Sequence, residues 1–334
     1  MKRWAIALAA VLAGVPCLYA QNKKIVVVGL SPQEIREIQL HEPGATIVAA
    51  TRERLLSEVV DADALLGTVS PALIRAGKKL KWVQSYSAGV ENYLTPELKA
   101  SDIILTNAKI IQGPEIADHA MALLLALTRG MNVAIGGRGL RAGDRNAYPL
   151  IELNGKTAVI IGVGGIGMQI AVRAHAFGMT IIGVDPKDIP YTPVLSRVVP
   201  PDRLEEVLPL ADVVFVSAPH TPQTEGMLSE RQFSLMKTGS YFVAVSRGRL
   251  YSSEALVKAL ETRRLAGAGL DVTNPEPLPK EHPLRKFDNV IITPHVAGHS
   301  DLIQRRLLEL IKENVRRFVT GKPLLNIVDK EKGY

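Results

Sequence analysis

The sequence has 334 residues, of which 47% are hydrophobic and 22% are charged, a balance typical of a folded protein with a large core. This length favours two domains over one. The formal charge of +7 would suit a nucleic-acid-binding protein, but Lys and Arg are scattered and no basic run with interleaved aromatic residues occurs, so we predict no nucleic-acid partner.

The first 20 residues have the layout of a secretory signal peptide. Lys2-Arg3 precede an apolar run from Trp4 to Leu18, and Ala20 ends a suitable cleavage site, so we predict a signal peptide over 1–20 and an exported protein. The alternative is an uncleaved anchor or a wrongly assigned start codon, and without the signal the protein is cytoplasmic. The run is short for a membrane span, and we predict no integral span. The single cysteine, Cys17, excludes an internal disulfide.

Short apolar runs alternate with helical segments after this leader, which predicts a parallel α/β sheet. The predicted strands cover 24–30, 46–50, 64–67, 82–85 and 103–105, and the predicted helices cover 32–40, 52–61 and 71–76. Ser87-Ala88-Gly89-Val90 then forms a turn of small residues, whose backbone N–H groups can bind an anion such as a carboxylate. Ser87, Ala88, Gly89 and Val90 are therefore candidate substrate-binding residues.

A long apolar helix is predicted next. Pro114-Glu115 places Pro in its first turn together with an acid, both favourable at a helix start. The segment runs to about Gly130 and is apolar on nearly all faces, so we expect it to be buried between domains. Residues 138–149 are polar and predict a loop.

The stretch from 157 to 185 has the order of elements of a dinucleotide-binding unit. An apolar run turns at Gly162-Val163-Gly164-Gly165-Ile166-Gly167, a G-x-G-x-x-G, and a helix and a strand lead on to Asp185. Gly-rich turns also occur as plain turns, but this full order favours dinucleotide binding. The candidates are Gly162 for the tight turn, Gly164, Gly165 and Ile166 for close approach of a pyrophosphate to the backbone and helix N-terminus, Gly167 for helix–strand packing, and Asp185 for the adenosine ribose.

A second sheet is predicted to continue through strands at 212–217, 241–245, 266–272 and 290–292, with helices at 229–236 and 253–261 and a long amphipathic helix at 302–318. Asp185, Arg247, Glu276 and His295 each follow one of its strands. Because ligands bind outside the carboxyl ends of parallel strands, we expect these four residues to converge.

The chemistry of hydride transfer assigns roles to this set. Reduction of a carbonyl by a nicotinamide leaves an alkoxide that needs a proton, which His295 can supply while Glu276 orients it. Arg247 can bind a substrate carboxylate through two hydrogen bonds. His220 also follows a strand and is a candidate for the cofactor site, whereas the other histidines are interpreted as ordinary residues. No His or acid cluster has metal spacing, so we predict no metal.

Taken together, the motifs resemble the D-isomer-specific 2-hydroxyacid dehydrogenases over essentially all of the chain after the leader. The resemblance is carried by segments 87–90, 153–157, 219–224, 246–248, 271–272, 276–277 and 293–298. It implies a Rossmann-type doubly wound NAD-binding domain at 107–298, inserted into a flavodoxin-like substrate domain formed by 23–106 and 299–330, and a homodimer. It also implies Arg247, Glu276 and His295 as the catalytic set, with further cofactor-binding candidates at Pro219, Ser246 and Asp271.

The leading hypothesis is an NAD-dependent oxidoreductase that interconverts a small anionic 2-keto acid, such as glyoxylate, hydroxypyruvate or pyruvate, and a D-2-hydroxy acid. The charge of Asp185 would repel a 2′-phosphate, so NADP is disfavoured. The alternative is an NAD(H)-sensing binding protein like the transcriptional corepressors that resemble this family. The predicted export conflicts with the cytoplasmic supply of NAD, and the sequence leaves the substrate side chain and the direction of reaction open.

Overall fold

The computed structural model describes residues 22–135 and 150–334. The predicted signal peptide at 1–20 and the predicted loop at 138–149 lie outside the described residues. The described chain forms two sheets, one of five strands and one of seven. In these two ranges no helix is both long enough and apolar enough to cross a membrane.

Strands and helices alternate along the chain, as the sequence predicts. The strands are β1 (Lys23–Val27), β2 (Ala45–Ala49), β3 (Ala64–Leu66), β4 (Trp82–Gln84), β5 (Ile104–Thr106), β6 (Thr157–Ile161), β7 (Thr180–Val184), β8 (Arg197–Val199), β9 (Val213–Val216), β10 (Ser240–Ala244), β11 (Leu265–Leu270) and β12 (Val290–Ile292). The α-helices are α1 (Pro32–His41), α2 (Leu55–Glu58), α3 (Pro71–Ala76), α4 (Pro96–Lys99), α5 (Gly113–Thr128), α6 (Met131–Ile135), α7 (Gly165–Ala176), α8 (Leu204–Val207), α9 (Glu230–Leu235), α10 (Ser253–Glu261) and α11 (Ile303–Val319).

The first sheet has the order β2-β1-β3-β4-β5, and all its neighbouring strands are parallel. Helix α1 begins at a capping box, in which the Ser31 hydroxyl accepts from the Glu34 amide and the Glu34 carboxylate accepts from the Ser31 amide. Helix α11 returns to this sheet, where Phe318 packs on the buried Trp82 with ring centroids 5.2 Å apart. Helices α1 and α11 cover one face of the sheet, and α2, α3 and α4 cover the other, so the central strand β3 is buried along its whole length.

The second sheet has the order β12-β11-β10-β9-β6-β7-β8 and is also parallel. Helices α5 and α7 cover one face, and α8, α9 and α10 cover the other. The strand order reverses between β6 and β9, which is the position where doubly wound sheets bind their ligands. The buried helix predicted after Pro114 is α5, which packs on α7 and on this second sheet.

Some short elements differ from the predictions. The helix predicted at 52–61 is only α2, because Arg54 offers no capping side chain and the preceding residues form turns. Strand β8 and helices α4, α6 and α8 were not predicted. The strand has three residues and the helices have at most five, so none of them gives a hydrophobic period that the sequence could reveal.

The chain passes from the first sheet to the second at residues 107–113, where it lies directly against the start of α7. A Cβ on Gly165 would lie 2.8 Å from the Cα of Ile110, and a Cβ on Gly113 would lie 2.7 Å from the carbonyl oxygen of Gly165. Ile110 itself has a φ of 80°, which is rare for a β-branched residue. The domain boundaries given above for the substrate and NAD-binding domains stay a prediction.

Candidate active site

The glycine turn joins β6 to α7. Gly162 has a φ of 89°, and a Cβ there would lie 2.5 Å from the backbone nitrogen of Ala218. A Cβ on Gly167 would lie 2.0 Å from the carbonyl oxygen of Gly162, so only glycine lets α7 pack this closely on β6. At Gly164 a Cβ would meet no atom within 4 Å. Packing therefore requires the first and last glycines, whereas Gly164 leaves open the space that a pyrophosphate needs.

Asp185 follows β7 and is hydrogen-bonded to the glycine turn. Its Oδ2 accepts from the backbone nitrogen of Val163 at 2.8 Å, and its Oδ1 accepts from the backbone nitrogen of Lys187 at 2.9 Å. Each carboxylate oxygen keeps a further lone pair for a hydroxyl donor. The carboxylate is thus fixed where the ribose of an adenosine group would lie, beside a pyrophosphate on the turn.

A pocket of about 490 Å³ opens between the two sheets. Most of the predicted site residues line it, namely Ser87, Ala88, Gly89, Val90, Gly164, Gly165, Ile166, Pro219, Ser246, Arg247, Asp271 and His295. The predicted residues outside its lining are Gly162, Gly167, Asp185, His220 and Glu276. The two glycines support the turn from behind, Asp185 lines a second cavity beside it, and Glu276 reaches the pocket through His295.

His295 and Glu276 form a hydrogen-bonded pair, with Nδ1 of the imidazole 2.6 Å from Oε1 of the carboxylate. The other carboxylate oxygen accepts from the backbone nitrogen of Thr273 at 3.2 Å, so Glu276 is itself held in place. Because Nδ1 is engaged, Nε2 is the ring nitrogen left for a substrate. This is the arrangement of a general acid–base and its orienting group.

The loop that carries His295 is fixed by Asp271 at the end of β11. The Asp271 carboxylate is buried and accepts from the Thr293 hydroxyl at 2.6 Å and from the backbone nitrogens of Val296 and Ala297 at 3.0 Å each. His295 has a φ of 54°, a left-handed conformation uncommon outside glycine. Its own backbone nitrogen donates to the carbonyl oxygen of Asp271 at 2.9 Å, so one residue secures both flanks of the strained position.

His119 on α5, interpreted above as an ordinary residue, joins this network. Its Nε2 lies 2.9 Å from the Thr293 hydroxyl and 3.4 Å from the carboxylate of Asp271. His299, also interpreted as an ordinary residue, lines the pocket. His119 reaches the site through packing of a distant segment, which no local motif records, whereas the position of His299 directly after the 293–298 segment is a usable signal.

His220 takes a different partner. Its Nε2 lies 2.9 Å from the Glu225 carboxylate, and this hydrogen bond is the main cause of a lowered pKa for Glu225. His220 therefore stays outside the lining of the pocket. Within 22–135 and 150–334, no group of three or more His, Cys, Asp or Glu side chains is placed to hold a metal ion.

Arg247 crosses the pocket towards the first sheet. Its Nη1 donates to the carbonyl oxygen of Ser246 at 2.7 Å, while Nε and Nη2 lie 3.0 and 3.4 Å from the two carboxylate oxygens of Glu91. The guanidinium lies on Gly89, where a Cβ would be only 1.7 Å from Nη2. Glu91 was not predicted as a site residue, although its position directly after the small-residue turn is a usable signal.

The small-residue loop after β4 presents its main chain to the pocket. Asn107 holds it by donating from Nδ2 to the carbonyl oxygen of Ala88 at 2.6 Å. The Ala88 amide is already engaged with the side chain of Gln112 at 3.2 Å. Among the described residues, the amides of Gly89 and Val90 have no hydrogen-bond partner. The donors available to an anion are therefore Gly89 and Val90.

The comparison with protein families identifies the chain. A profile described as D-isomer specific 2-hydroxyacid dehydrogenase, NAD binding domain, matches residues 121–297. The chain belongs to the D-isomer-specific 2-hydroxyacid dehydrogenase family. This dehydrogenase is 34% identical over 299 residues to a D-3-phosphoglycerate dehydrogenase of Methanocaldococcus jannaschii, covering 87% of this chain but only 56% of that protein. It is 33% identical over 294 residues to a glyoxylate reductase of Thermofilum pendens, covering 84% and 85%.

Solved structures agree with this assignment. The TT0316 protein of Thermus thermophilus superposes with a TM-score of 0.71 at 32% identity and covers 91% of this dehydrogenase and 99% of that chain. A glyoxylate/hydroxypyruvate reductase of Sinorhizobium meliloti, solved with NADP and sulfate, gives a TM-score of 0.78 at 24% identity, covering 94% and 100%, and shows the fold alone. The predicted family and two-domain α/β Rossmann-type fold are thereby confirmed.

Proposed function

We propose that this dehydrogenase interconverts a small 2-keto acid and the corresponding D-2-hydroxy acid with NAD as its cofactor. The observation that carries the proposal is the convergence of the His295–Glu276 pair and Arg247 on one pocket, with the glycine turn on its other side. The similar protein of Thermofilum pendens is a glyoxylate reductase, which supports glyoxylate as the first substrate to test.

The groups around the glycine turn fit a nicotinamide dinucleotide. The open side of Gly164 and the start of α7 suit the pyrophosphate, since the free amides at a helix N-terminus attract anions. Asp185 suits the adenosine ribose, and the pocket extends from Lys187 and Gly164 to His295. When bound, the cofactor donates or accepts the hydride. Orientation and proton transfer are left to the side chains of this chain.

Each polar group has a separate task in keto-acid reduction. Arg247 and the amides of Gly89 and Val90 bind the substrate carboxylate, which fixes the carbonyl relative to His295. His295 donates a proton from Nε2 to the oxygen that was the carbonyl oxygen, and it takes the proton back in the reverse direction. Glu276 holds the imidazole in the orientation and charge state that this transfer needs.

NAD is proposed over NADP because Asp185 places a carboxylate where a 2′-phosphate would lie. Two solved structures that are similar to this chain contain the phosphorylated cofactor. The Sinorhizobium meliloti protein was solved with NADP, and the Xanthobacter autotrophicus protein was solved with NADPH. The preference is therefore a property to measure. We expect kcat/KM with NADH to exceed that with NADPH by at least about tenfold, the effect of roughly 1.4 kcal/mol of charge repulsion.

The test is NADH oxidation by the purified protein at 340 nm with glyoxylate, hydroxypyruvate, pyruvate, phenylpyruvate, 2-ketoglutarate and oxaloacetate, with NADPH in parallel. His295→Ala should lower kcat by about 10³-fold while NADH binding is retained, because only proton transfer is removed. His175→Ala is the matched control, since this histidine is exposed on α7 and outside the pocket lining, and the variant should keep nearly full activity. Undiminished turnover in His295→Ala would contradict the assigned role.

The second candidate function is an NAD(H)-sensing binding protein, which would keep the same pocket. The enzymes named among the relatives favour catalysis. The same assay separates the two functions, because a sensor would bind NADH tightly and show no turnover on any acid of the panel. Partner capture that depends on NADH would then support sensing.

Two further proposals concern the setting of the enzyme. We propose a homodimer, which light scattering of the purified protein can test. We also propose export with cleavage after Ala20, which N-terminal sequencing of the protein from the producing cells can test, with a retained Met1 supporting a cytoplasmic enzyme.

A further inference from the structure

The pocket has an additional wall that belongs neither to the glycine turn nor to the loop after β4. Gly333 and Tyr334 line it, together with Lys187 from the loop after β7. No sequence motif drew attention to these residues, and the reaction described above makes no use of them. Their position raises the question of what part of a bound ligand they would touch.

The segment leading to this wall is anchored in the first sheet. The backbone nitrogen of Val328 donates to Leu105 at 2.9 Å, and that of Asn107 donates to Asn326 at 3.1 Å, so the segment runs along the edge strand β5. Lys330 Nζ donates to main-chain carbonyl oxygens next to α4, at 3.0 Å in the case of Leu98. These bonds fix the residues before 331 to the substrate side of the pocket.

Residues 329–334 then close into a turn. The Asp329 carboxylate accepts from the backbone nitrogens of Glu331 and Lys332 at 3.0 Å each, bonds that lower the pKa of Asp329, that of Lys332 contributing most. The carbonyl oxygen of Asp329 accepts from Gly333 at 2.8 Å, and its backbone nitrogen donates to Tyr334 at 3.1 Å. The turn is thus internally bonded and delivers Tyr334 to the pocket in a defined place.

The turn reaches across the pocket to the second sheet. Lys187 Nζ lies 4.5 Å from the centroid of the Tyr334 ring, a cation–π distance. A Cβ on Gly333 would lie 3.7 Å from Leu94 in the first sheet's half and 3.9 Å from Thr221 in the second. The turn therefore contacts the loop after β7 through Lys187, and it lies close to the loop after β9 at Thr221.

Those two loops flank the adenosine half of a dinucleotide whose pyrophosphate lies on the glycine turn and whose ribose is bound by Asp185. We propose that the 329–334 turn completes the cofactor site by closing over the adenosine half, with the Tyr334 ring packed against the adenosine. Lys187 holds the ring at the pocket before the cofactor arrives. This inference rests on the proposed use of a nicotinamide dinucleotide, and it adds a residue contributed by the substrate side of the chain.

The test compares Tyr334→Ala and Tyr334→Phe with the unaltered full-length protein, using NADH, ADP-ribose and reduced nicotinamide mononucleotide as ligands. Dissociation constants come from calorimetry, and NADH release rates come from stopped-flow fluorescence. Loss of an aromatic face against a base should weaken NADH and ADP-ribose about tenfold in Tyr334→Ala and speed NADH release similarly. Reduced nicotinamide mononucleotide should bind unchanged, and Tyr334→Phe should behave as the unaltered protein because the ring is kept.

Phe177→Ala is the matched control, since it removes an aromatic ring just after α7 at a position that is 45% exposed and outside the lining of both cavities. Equal NADH and ADP-ribose affinities in Tyr334→Ala and the unaltered protein would overturn the inference while leaving the proposed function intact. Equal weakening of the mononucleotide would also overturn it, because the effect would then not be confined to the adenosine half. Absence of NADH binding by the unaltered protein would instead reject the proposed function.

Discussion

On one wall of the pocket the chemistry is carried by side chains, whereas on the opposite wall it is carried by the main chain. Arg247 and His295 follow strands of the seven-stranded sheet, and the loop of His295 is bonded to the buried Asp271. The facing loop after β4 has only small side chains and offers the amides of Gly89 and Val90.

The two walls also differ in how they are held. On the side-chain wall, His295 and its loop are fixed by hydrogen bonds to residues of the same half of the pocket, so His295 is in place before a substrate arrives. The main-chain wall has its charge contact across the cleft, where Glu91 pairs with Arg247. Damage to the first wall should therefore lower kcat, and damage to the second should mainly change KM for the keto acid.

Among the substitutions that distinguish the side-chain wall from the main-chain wall, Asp271→Asn is expected to have the largest effect. The amide NH₂ group would face donors such as the Ala297 nitrogen, so the histidine loop would lose its fixed geometry. A displaced catalytic group costs about 10²-fold, so kcat should fall by that factor, and the free energy of unfolding should fall by about 2 kcal/mol. Steady-state kinetics and thermal unfolding measure both.

Asp185→Asn is the control for this substitution, since it alters a carboxylate that also accepts backbone amides at a strand end of the same sheet, after β7. It should change the affinity for NADH with little change in kcat. Equal loss of kcat in the two variants would show that Asp271 does not act through the histidine loop.

An intermediate effect is expected from Gly89→Ala. The new methyl group would lie 1.7 Å from Arg247 Nη2, so the guanidinium must move off the loop and lose its contact with the substrate carboxylate. Loss of about 2 kcal/mol of charged hydrogen bonding corresponds to a KM for glyoxylate that is roughly 30-fold higher. Gly164→Ala is the control on the other wall and should raise KM for NADH instead. If Gly89→Ala and Gly164→Ala both raised the KM for the same ligand, the assignment of one wall to the keto acid and the other to the cofactor would be wrong.

The smallest effect is expected from Glu91→Gln. Glu91 and Arg247 are each about one third exposed (34%), so their ion pair is worth no more than about 1 kcal/mol. A substrate carboxylate has to replace Glu91 on the guanidinium, and removing the competitor should lower KM about fivefold with kcat unchanged. A higher KM together with a lower kcat would show instead that Glu91 positions Arg247.

Much of the fold could be predicted because its strands are buried on both faces. All four residues of Val213–Val216 are buried, and such a run leaves a clear apolar signal in the sequence. The edge strand Arg197–Val199 is short and begins with an exposed Arg, so its pairing with β7 is decided by tertiary contacts. Buried strands can therefore be predicted from the sequence, whereas the pairing of a short edge strand cannot.

The site divides in a similar way. His295 and Glu276 could be predicted as partners because both follow strands whose ends meet at one edge of the sheet. Glu91 and Arg247 are 156 positions apart and belong to different halves of the pocket, and His119 is 174 positions from Thr293. The first contact joins the two halves of the pocket and the second lies within one half, and both depend on tertiary packing that no local pattern encodes.

The contact of Ile110 with Gly165 has a consequence for engineering. The peptide that connects the two sheets rests directly on the phosphate-binding turn, at a place where a single added carbon would fall 2.8 Å from the Ile110 backbone. A mutant library that diversifies Gly165 to alter cofactor choice would therefore also displace the segment that connects the two sheets. Because this segment carries the chain from one half of the pocket to the other, each substitution at Gly165 should be assayed for keto-acid KM as well as for cofactor KM.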